Sequence, residues 1–237
     1  MVCYALLYGP RIPPVTHLHV ADGILPWWLV ALSLLLAGAA VTGILRTRRE
    51  SESVLFIARV GVAGAALLVA MSLPLGPGVH LSLAPLAGMM LGPAGGFLAA
   101  FLANASLAAL GHGGITAVGV NGLFLGLQAV AGGALFSMLR RPLGVRWGAV
   151  TAASITLTVA AAGGIAALRA LPLEPGVGEH HHDPLDWGMG IVAASAVAAV
   201  VAEATITASV IVFLARVRTD LVHGGGAPRP RTSGEPA

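Results

Sequence analysis

Two histidines, His17 and His19, and a carboxylate, Asp22, lie close together near the start of the chain. Imidazole is the commonest protein ligand for late first-row transition metals, so this combination favours metal binding. The segment 16–26 precedes the first long apolar run, which places it at a membrane surface if that run spans a bilayer. A polar lead-in to a helix would have the same composition. A further histidine, His80, follows a Pro- and Gly-rich loop and favours the metal site.

The composition is that of an integral membrane protein. The 237 residues are 57% apolar and 10% charged, and the mean hydropathy of +0.88 is far above that of soluble domains. All thirteen basic residues are arginine. They cluster at the ends of apolar runs, which is typical of membrane orientation signals and not of nucleic-acid binding. The single cysteine, Cys3, excludes an intramolecular disulfide and a multi-thiolate metal site.

Apolar runs of membrane-spanning length predict an all-α polytopic helix bundle with about seven transmembrane helices. The predicted helices cover residues 25–45, 54–73, 81–92, 94–110, 116–139, 147–170 and 187–215. The third is too short to cross a bilayer even if it is not tilted. Gly92-Pro93 separates it from the fourth as a helix stop and restart. Merging 81–110 into one kinked span is the alternative.

The arginine clusters favour seven crossings, with the N-terminus outside and the C-terminus inside. This arrangement puts the groups around Arg46, Arg140 and Arg216 on the inner face, as the positive-inside rule requires. Six crossings would leave one of these groups outside. Seven crossings also put most histidines on the outer face: His17, His19, His80, His112, His180, His181 and His182.

Two charged side chains, Arg59 and Glu203, fall inside predicted spans. A charge at bilayer depth costs roughly 2.5–3.5 kcal/mol on insertion scales and normally faces protein or water. We therefore expect each to make a structural ion pair or a hydrogen bond between helices. For Glu203, lining a route for ion release is the alternative. The cluster His180–His182 suits either a solvated loop or an accessory loop that gathers metal ions.

Four segments with specific wording occur in order at 18–25, 80–93, 111–121 and 203–221. The first reads Leu-His-Val-Ala-Asp-Gly-Ile-Leu, and the second places Gly-Pro twelve and thirteen residues after a histidine. The third reads Gly-His-Gly-Gly-Ile-Thr-Ala-Val-Gly-Val-Asn, and the fourth joins Glu-Ala-Thr-Ile-Thr-Ala to Arg-Val-Arg-Thr-Asp-Leu. The chain thereby resembles the CbiM/NikM family, the substrate-capture components of energy-coupling-factor transporters for cobalt and nickel. Family members have Asp where His112 stands.

The resemblance implies a nearly square-planar metal site built mainly from nitrogen. In the family, the amino group of the first residue, the backbone nitrogen and imidazole of the second, and a later histidine supply the ligands. Carried over, His19 contributes two nitrogens, His80 the opposing imidazole, and Leu18 the amino group. Since seventeen residues precede Leu18, we expect translation to begin at residue 18. Proteolysis that exposes an amine, or substitution by His17, are the alternatives.

The resemblance also divides the chain into three parts. Residues 1–17 form an N-terminal extension that is not expected in the native protein, 18–221 the membrane-embedded capture domain, and 222–237 a disordered inner tail. The residues expected to support the metal ligands or to form the wall of the capture chamber are Asp22, His112, Thr116 and Asn121.

The expected function is capture of Ni(II) or Co(II) outside the cell membrane and release inside. The chain has no Gly-x4-Gly-Lys-Ser/Thr loop, so ATP hydrolysis must occur in other subunits. The implied partners are a transmembrane coupling protein and two ATP-binding cassette ATPases, with a small accessory membrane subunit as an optional addition; no cofactor and no nucleic acid are expected. A passive metal channel or a metal-sensing membrane protein is the alternative, and a membrane hydrolase lacks any matching catalytic motif.

Overall fold

A computed structural model describes residues 20, 22–23, 25–47, 50–76, 79–111, 114–170, 185–218 and 222. Within this part of the chain the elements are α1 (Trp27–Arg46), α2 (Glu50–Ser72), β1 (Pro74–Gly76), β2 (Val79–His80), α3 (Ala84–Ala109), α4 (Val118–Ala170) and α5 (Leu185–Val217). Each of the five helices contains a stretch that is long and apolar enough to cross a membrane. The prediction of an all-α membrane bundle is confirmed, and a short β1–β2 hairpin is added to it.

The exposure of α1 shows why the bundle needs lipid. Pro26 precedes the helix in an extended conformation, and Arg46 stands in the last turn, where a cation faces the negative end of the helix dipole. Only Ser33 and Ala37 are buried in this helix. Trp27 and Leu35, by contrast, are 80% and 72% exposed. A helix that points most of its large apolar side chains outward is stable when hydrocarbon surrounds it.

α3 reverses direction at Gly92, where φ is 75° and ψ is 170°. Glycine alone adopts this geometry readily, and Pro93 has no N–H with which to continue the helical hydrogen bonds. A Cβ built on Gly96 would lie 2.5 Å from the Cα of Gly88, although residues eight apart in one helix are separated by about 12 Å. The arms α3a (84–91) and α3b (93–109) therefore lie side by side. The predicted stop and restart is present, and the single kinked span is excluded.

α4 reverses in the same way at Gly144, where φ is 76° and ψ is 169°. A Cβ on Gly148 would lie 2.9 Å from the Cα of Arg140, so the arms α4a (118–143) and α4b (145–170) are also antiparallel. The predicted helices 116–139 and 147–170 are thus present. The loop predicted between them is not, because helix continues on both sides up to this turn.

Helix contacts show that α2 and α3b run parallel. A Cβ on Gly64 would lie 3.1 Å from the side chain of Leu102, and a Cβ on Gly95 would lie 3.1 Å from the ring of Phe56. The contact later in α2 is made with a later residue of α3b, and the earlier one with an earlier residue. The last turns of the two helices therefore reach the same end of the bundle. The β1–β2 hairpin, which follows α2, and the loop 110–117, which follows α3b, are therefore neighbours.

We call this end the His80 end; it comprises the described residues 20, 22–23, 25–26, 73–76, 79–83, 110–111 and 114–117. The segment before α1 belongs to it because Asp22 bonds to Thr116. The opposite end, which we call the arginine end, comprises Arg46 at the end of α1, Arg140, Arg141 and Arg146 around the Gly144 turn, and Arg216 in the last turn of α5. Leu214 of α5 packs in the same cluster as Leu139 and Val145, which flank that turn.

The short arm α3a lies at the centre of the packing. Any side chain on Gly88 would overlap the carbonyl of Ala129 on α4a, so the two backbones are in direct contact. One core cluster extends from here along α3b, with Phe97 and buried alanines. A second joins α4b to α5 through Ala153 and Ala204. Small residues thus allow the close helix approach that stabilises bundles in lipid.

We predict that Gly88→Val disrupts the bundle, because the added carbon atoms meet the backbone of Ala129 and Gly133, which cannot rotate away. The overlap should cost at least the roughly 1–3 kcal/mol typical of overpacking. It should appear as a lower thermal midpoint and less monodisperse protein in detergent. Gly61→Val is the matched control, since nothing lies within 4 Å of a Cβ at Gly61. Equal behaviour of the two variants would contradict the described contact.

Candidate metal centre

Asn121 anchors the backbone directly after His19. Its Oδ1 accepts a hydrogen bond from the N–H of Val20 at 2.8 Å, and its Nδ2 donates to the Val20 carbonyl at 2.9 Å. Asn121 is only 1% exposed, so its amide pairs both of its polar atoms with backbone where water is excluded. The backbone at Val20 is therefore attached to the first turn of α4a.

Asp22 attaches the segment before α1 to the loop before α4. Its carboxylate accepts hydrogen bonds from the N–H of Ile115 at 3.1 Å, the N–H of Thr116 at 2.7 Å and the Thr116 hydroxyl at 2.6 Å. The Thr116 hydroxyl bond is the largest cause that lowers the pKa of Asp22 below its ordinary value; partial desolvation opposes it, and the backbone donors add to the lowering. Gly114 makes this contact fit, because a Cβ there would lie 2.7 Å from the Asp22 nitrogen.

We predict that Asp22→Asn releases this loop, because an amide has one acceptor oxygen and its NH2 group would face the N–H of Thr116. The amides of Ile115 and Thr116 should exchange hydrogen several-fold faster, measured by mass spectrometry. Thr116→Val, which removes only the hydroxyl bond, should give a smaller increase. Since folding lowers the pKa of Asp22, its contribution is fully present above the ordinary carboxyl range and is lost as the pH falls through the lowered value. Unchanged exchange in Asp22→Asn would refute this role.

His80 is held in one orientation by the backbone at the end of α2. It lies in β2 opposite Pro74, and its Nδ1 is 2.7 Å from the carbonyl oxygen of Met71. A carbonyl only accepts hydrogen bonds, so in the neutral ring Nδ1 carries the hydrogen and Nε2 carries the lone pair. A carbonyl bonded to one ring nitrogen is the usual way in which proteins orient a metal-binding imidazole. Met71 is 2% exposed, which makes its backbone a firm support.

A buried carboxylate lies just behind the segment that carries His80. Glu203 on α5 is 3% exposed, and it accepts hydrogen bonds from the N–H of Ser82 at 3.1 Å and from the Ser82 hydroxyl at 2.6 Å. A hydrogen bond between helices was expected for Glu203; the bond that is present joins its helix to the non-helical segment before α3. Sequence reasoning missed Ser82. The available signal was the need of a carboxylate at bilayer depth for nearby donors.

The described residues bring part of the predicted site together. His80, Asp22, Thr116 and the Val20–Asn121 pair all lie at the His80 end. The other predicted ligands and loop residues lie outside the described residues: His17, Leu18, His19, His112, His180, His181 and His182. Within the part of the chain that the structure describes, no group of three or more His, Cys, Asp or Glu side chains is arranged to hold a metal ion. Of the implied ligands, the structure describes His80 alone.

One family model matches most of the sequence. It is described as CbiM, cobalt uptake substrate-specific transmembrane region, and it matches residues 19–221. The chain belongs to this family. The resemblance stated from the four sequence segments is thereby confirmed, and the chain is a substrate-specific, multi-pass transmembrane component for cobalt uptake. The family is not enzymatic, so the membrane hydrolase is wrong. The family also implies partners of the energy-coupling-factor type.

Two solved structures share the fold of this CbiM-family chain. A truncated transition metal transporter is 22% identical, with a TM-score of 0.65, and the match covers 84% of this chain and 99% of that one. A transition metal transporter is 21% identical, with a TM-score of 0.66, and the match covers 90% of this chain and all of that one. At these identities the likeness shows the fold. No curated protein matches the sequence.

Proposed function

We propose that this chain captures Co(II) or Ni(II) from outside the membrane at the His80 end of the bundle. The ligands are the backbone nitrogen and imidazole of His19, the imidazole of His80, and the amino group of Leu18 where that residue comes first. Nitrogen donors in one plane suit Ni(II) and hold Co(II), whereas Zn(II) prefers a tetrahedron. The two ions use the same donor types, so discrimination between them depends on geometry and on the surrounding hydrogen bonds.

The observation that supports this proposal most is the pairing of Val20 with Asn121. It holds the backbone next to His19 at the end of the bundle that also carries His80. Asp22 adds a second attachment, three residues after His19. His80, for its part, has the tautomer and the backbone support of a metal ligand. In this proposal Asp22, Thr116 and Asn121 support the ligands from behind, and His112 belongs to the same wall.

We infer that the His80 end faces outward and that the chain has seven membrane-embedded helical segments, of which the third, α3a, is only about 12 Å long. The reversals at Gly92 and Gly144 alternate the direction of the chain in the way that this orientation requires. The opposite end carries the arginines, and the positive-inside rule assigns it to the inner face. The loop with His180, His181 and His182 then lies outside, where it serves as an accessory metal-gathering loop.

The proposed partners are a transmembrane coupling protein and two ATP-binding cassette ATPases, with a small accessory membrane subunit as an optional addition. The chain has no phosphate-binding Gly-x4-Gly-Lys-Ser/Thr motif of its own. A site that binds its ion tightly releases it only when the ligand geometry is disturbed. ATP hydrolysis in the partners supplies the free energy for that disturbance.

Replacing either histidine should abolish high-affinity metal binding. We expect His19→Ala and His80→Ala each to weaken Co(II) and Ni(II) binding by more than the roughly 10–100-fold that loss of an outer-shell partner costs. Elemental analysis of purified protein and titration with both ions measure this. The control combines His180→Ala, His181→Ala and His182→Ala, which should keep the affinity and reduce uptake only at scarce metal. Stoichiometric tight binding by His80→Ala would refute the proposed site.

The fourth nitrogen ligand can be identified from the position of the N-terminus. A chain that begins at residue 18, with Leu18→Met as its first residue, presents a free amine beside His19. We expect it to bind both ions more tightly than the 237-residue chain, because an amine is a better donor than an amide nitrogen. Weaker binding by the shorter chain, together with loss of binding in the full-length His17→Ala variant, would assign this ligand to His17 instead.

A further inference from the structure

The Ser82–Glu203 pair joins residues that are 121 positions apart, and it does so inside the protein. The hydroxyl of Ser82 donates to Oε1 of Glu203 at 2.6 Å, and its N–H donates to Oε2 at 3.1 Å. The same hydroxyl accepts a longer hydrogen bond from the N–H of Ala84, at 3.4 Å. One carboxylate therefore connects α5 to the beginning of α3a through two direct bonds.

This carboxylate compensates for a helix start that has no cap of its own. The residue before α3 is Leu83, which offers no side-chain hydrogen bond and has a left-handed conformation with φ of 48°. Leucine adopts that conformation at a cost, and surrounding contacts must hold it there. The N–H of Ala84, the first residue of the helix, is bonded to the Ser82 hydroxyl. Glu203 holds that hydroxyl and the Ser82 N–H from another helix, so the beginning of α3a is tied to α5.

The pair also lies very close to the proposed metal ligand. Ser82 is two residues after His80, so only Leu81 separates the residue bonded to Glu203 from the proposed ligand. His80 itself is bonded to the backbone of Met71 on α2. The segment with His80 is consequently held from two sides, by α2 through Met71 and by α5 through Ser82.

The other side-chain hydrogen bonds that the structure describes for α5 stay within that helix. Thr205 donates to the carbonyl of Val201, and Ser209 donates to that of Thr205. The hydroxyl of Thr207, one turn beyond Glu203, is buried without a hydrogen-bond partner. Packing of α5 on α4b involves alanines and other apolar residues. Ser82 and Glu203 thus form a polar connection between α5 and the rest of the bundle.

We propose that Glu203 is a positioning residue which, through Ser82, transmits displacements of α5 to the segment that carries His80. This inference rests on the proposed function of His80 as a metal ligand. Arg216, thirteen residues further along α5, lies at the arginine end, about 20 Å away along the helix axis. A displacement of α5 at that end moves Glu203, then Ser82, and then the backbone next to His80. Distortion at the inner face thereby loosens an outer metal site.

Metal titration of four variants tests the connection: Glu203→Gln, Ser82→Ala, the double variant, and Thr205→Val as the control on the same helix. We expect each single change to weaken Co(II) binding by about tenfold, within the range for loss of an outer-shell partner. The double variant should bind Co(II) about as well as the single variant with the lower affinity, because both changes break the same connection. Thr205→Val should bind as the wild type does. Multiplicative losses in the double variant would overturn the proposal.

Amide hydrogen exchange separates this role from that of a purely structural cap. In the wild type, Co(II) should slow exchange in residues 79–84 and also in α5 around Glu203. In Glu203→Gln and Ser82→Ala, slowing should be confined to 79–84. A cap without a transmitting role would lower the thermal midpoint in both variants and leave the response of α5 to Co(II) unchanged, which would overturn the proposal.

Failure of the proposed function gives a different result, because the wild type would then bind neither Co(II) nor Ni(II). In that case, hydrogen exchange in the metal-free protein tests the connection between Glu203 and Ser82. Faster exchange of residues 79–84 in both variants, and not in Thr205→Val, supports it. Wild-type exchange in both variants overturns it.

Discussion

The His80 end depends on hydrogen bonds between side chains and backbone groups that have no partner within a helix or sheet. The Asn121 amide pairs with both backbone groups of Val20, and the Asp22 carboxylate takes up the N–H groups of Ile115 and Thr116. The Met71 carbonyl pairs with the ring of His80. Each of these bonds holds a residue at the end of the bundle where the metal site is proposed. In the proposed function, the bonds that pair these backbone groups also position the ligands.

The close packing of small residues makes this arrangement reachable. The turn at Gly92 lets α3a return along α3b, and the absence of a side chain on Gly88 lets α3a lie directly on α4a. Had residues 81–110 formed one span, the loop before α4 would lie at the opposite end from the β1–β2 hairpin. Asp22 and His80 would then be separated by the thickness of the bundle. The hairpin form of α3 thus decides that Asp22 and His80 lie at the same end of the bundle.

A capture protein must hold its ion firmly and still release it, and the support of His80 from two helices suits both requirements. Two attachments orient the imidazole while both helices keep their positions. The attachment through α2 is made to a backbone carbonyl, whereas the attachment through α5 is made to a single side chain. In the proposed transmission, relative movement of α2 and α5 changes the position of the ring without unfolding either helix. The proposed drive by partner ATPases at the inner face requires such a connection across the bundle.

The sequence alone determined the membrane class, the helical segments, the break at Gly92-Pro93 and the arginine-rich end, and four short segments were enough to predict the family that the comparison confirms. These are local properties, since hydropathy, a glycine before a proline and charge at a span end depend on adjacent residues. The sequence analysis ended one helix at 139 and began the next at 147; Pro142 and Gly144 mark that interruption locally, but not the continuation of helix on both sides up to a turn at Gly144. The ligand roles of His19 and His80 stay predictions. Only the tertiary structure decided the pairs Asp22–Thr116, Val20–Asn121 and Ser82–Glu203, whose members are 94, 101 and 121 residues apart. Hydrogen bonds across such separations depend on which helices become neighbours, and that is set by packing and not by the adjacent sequence.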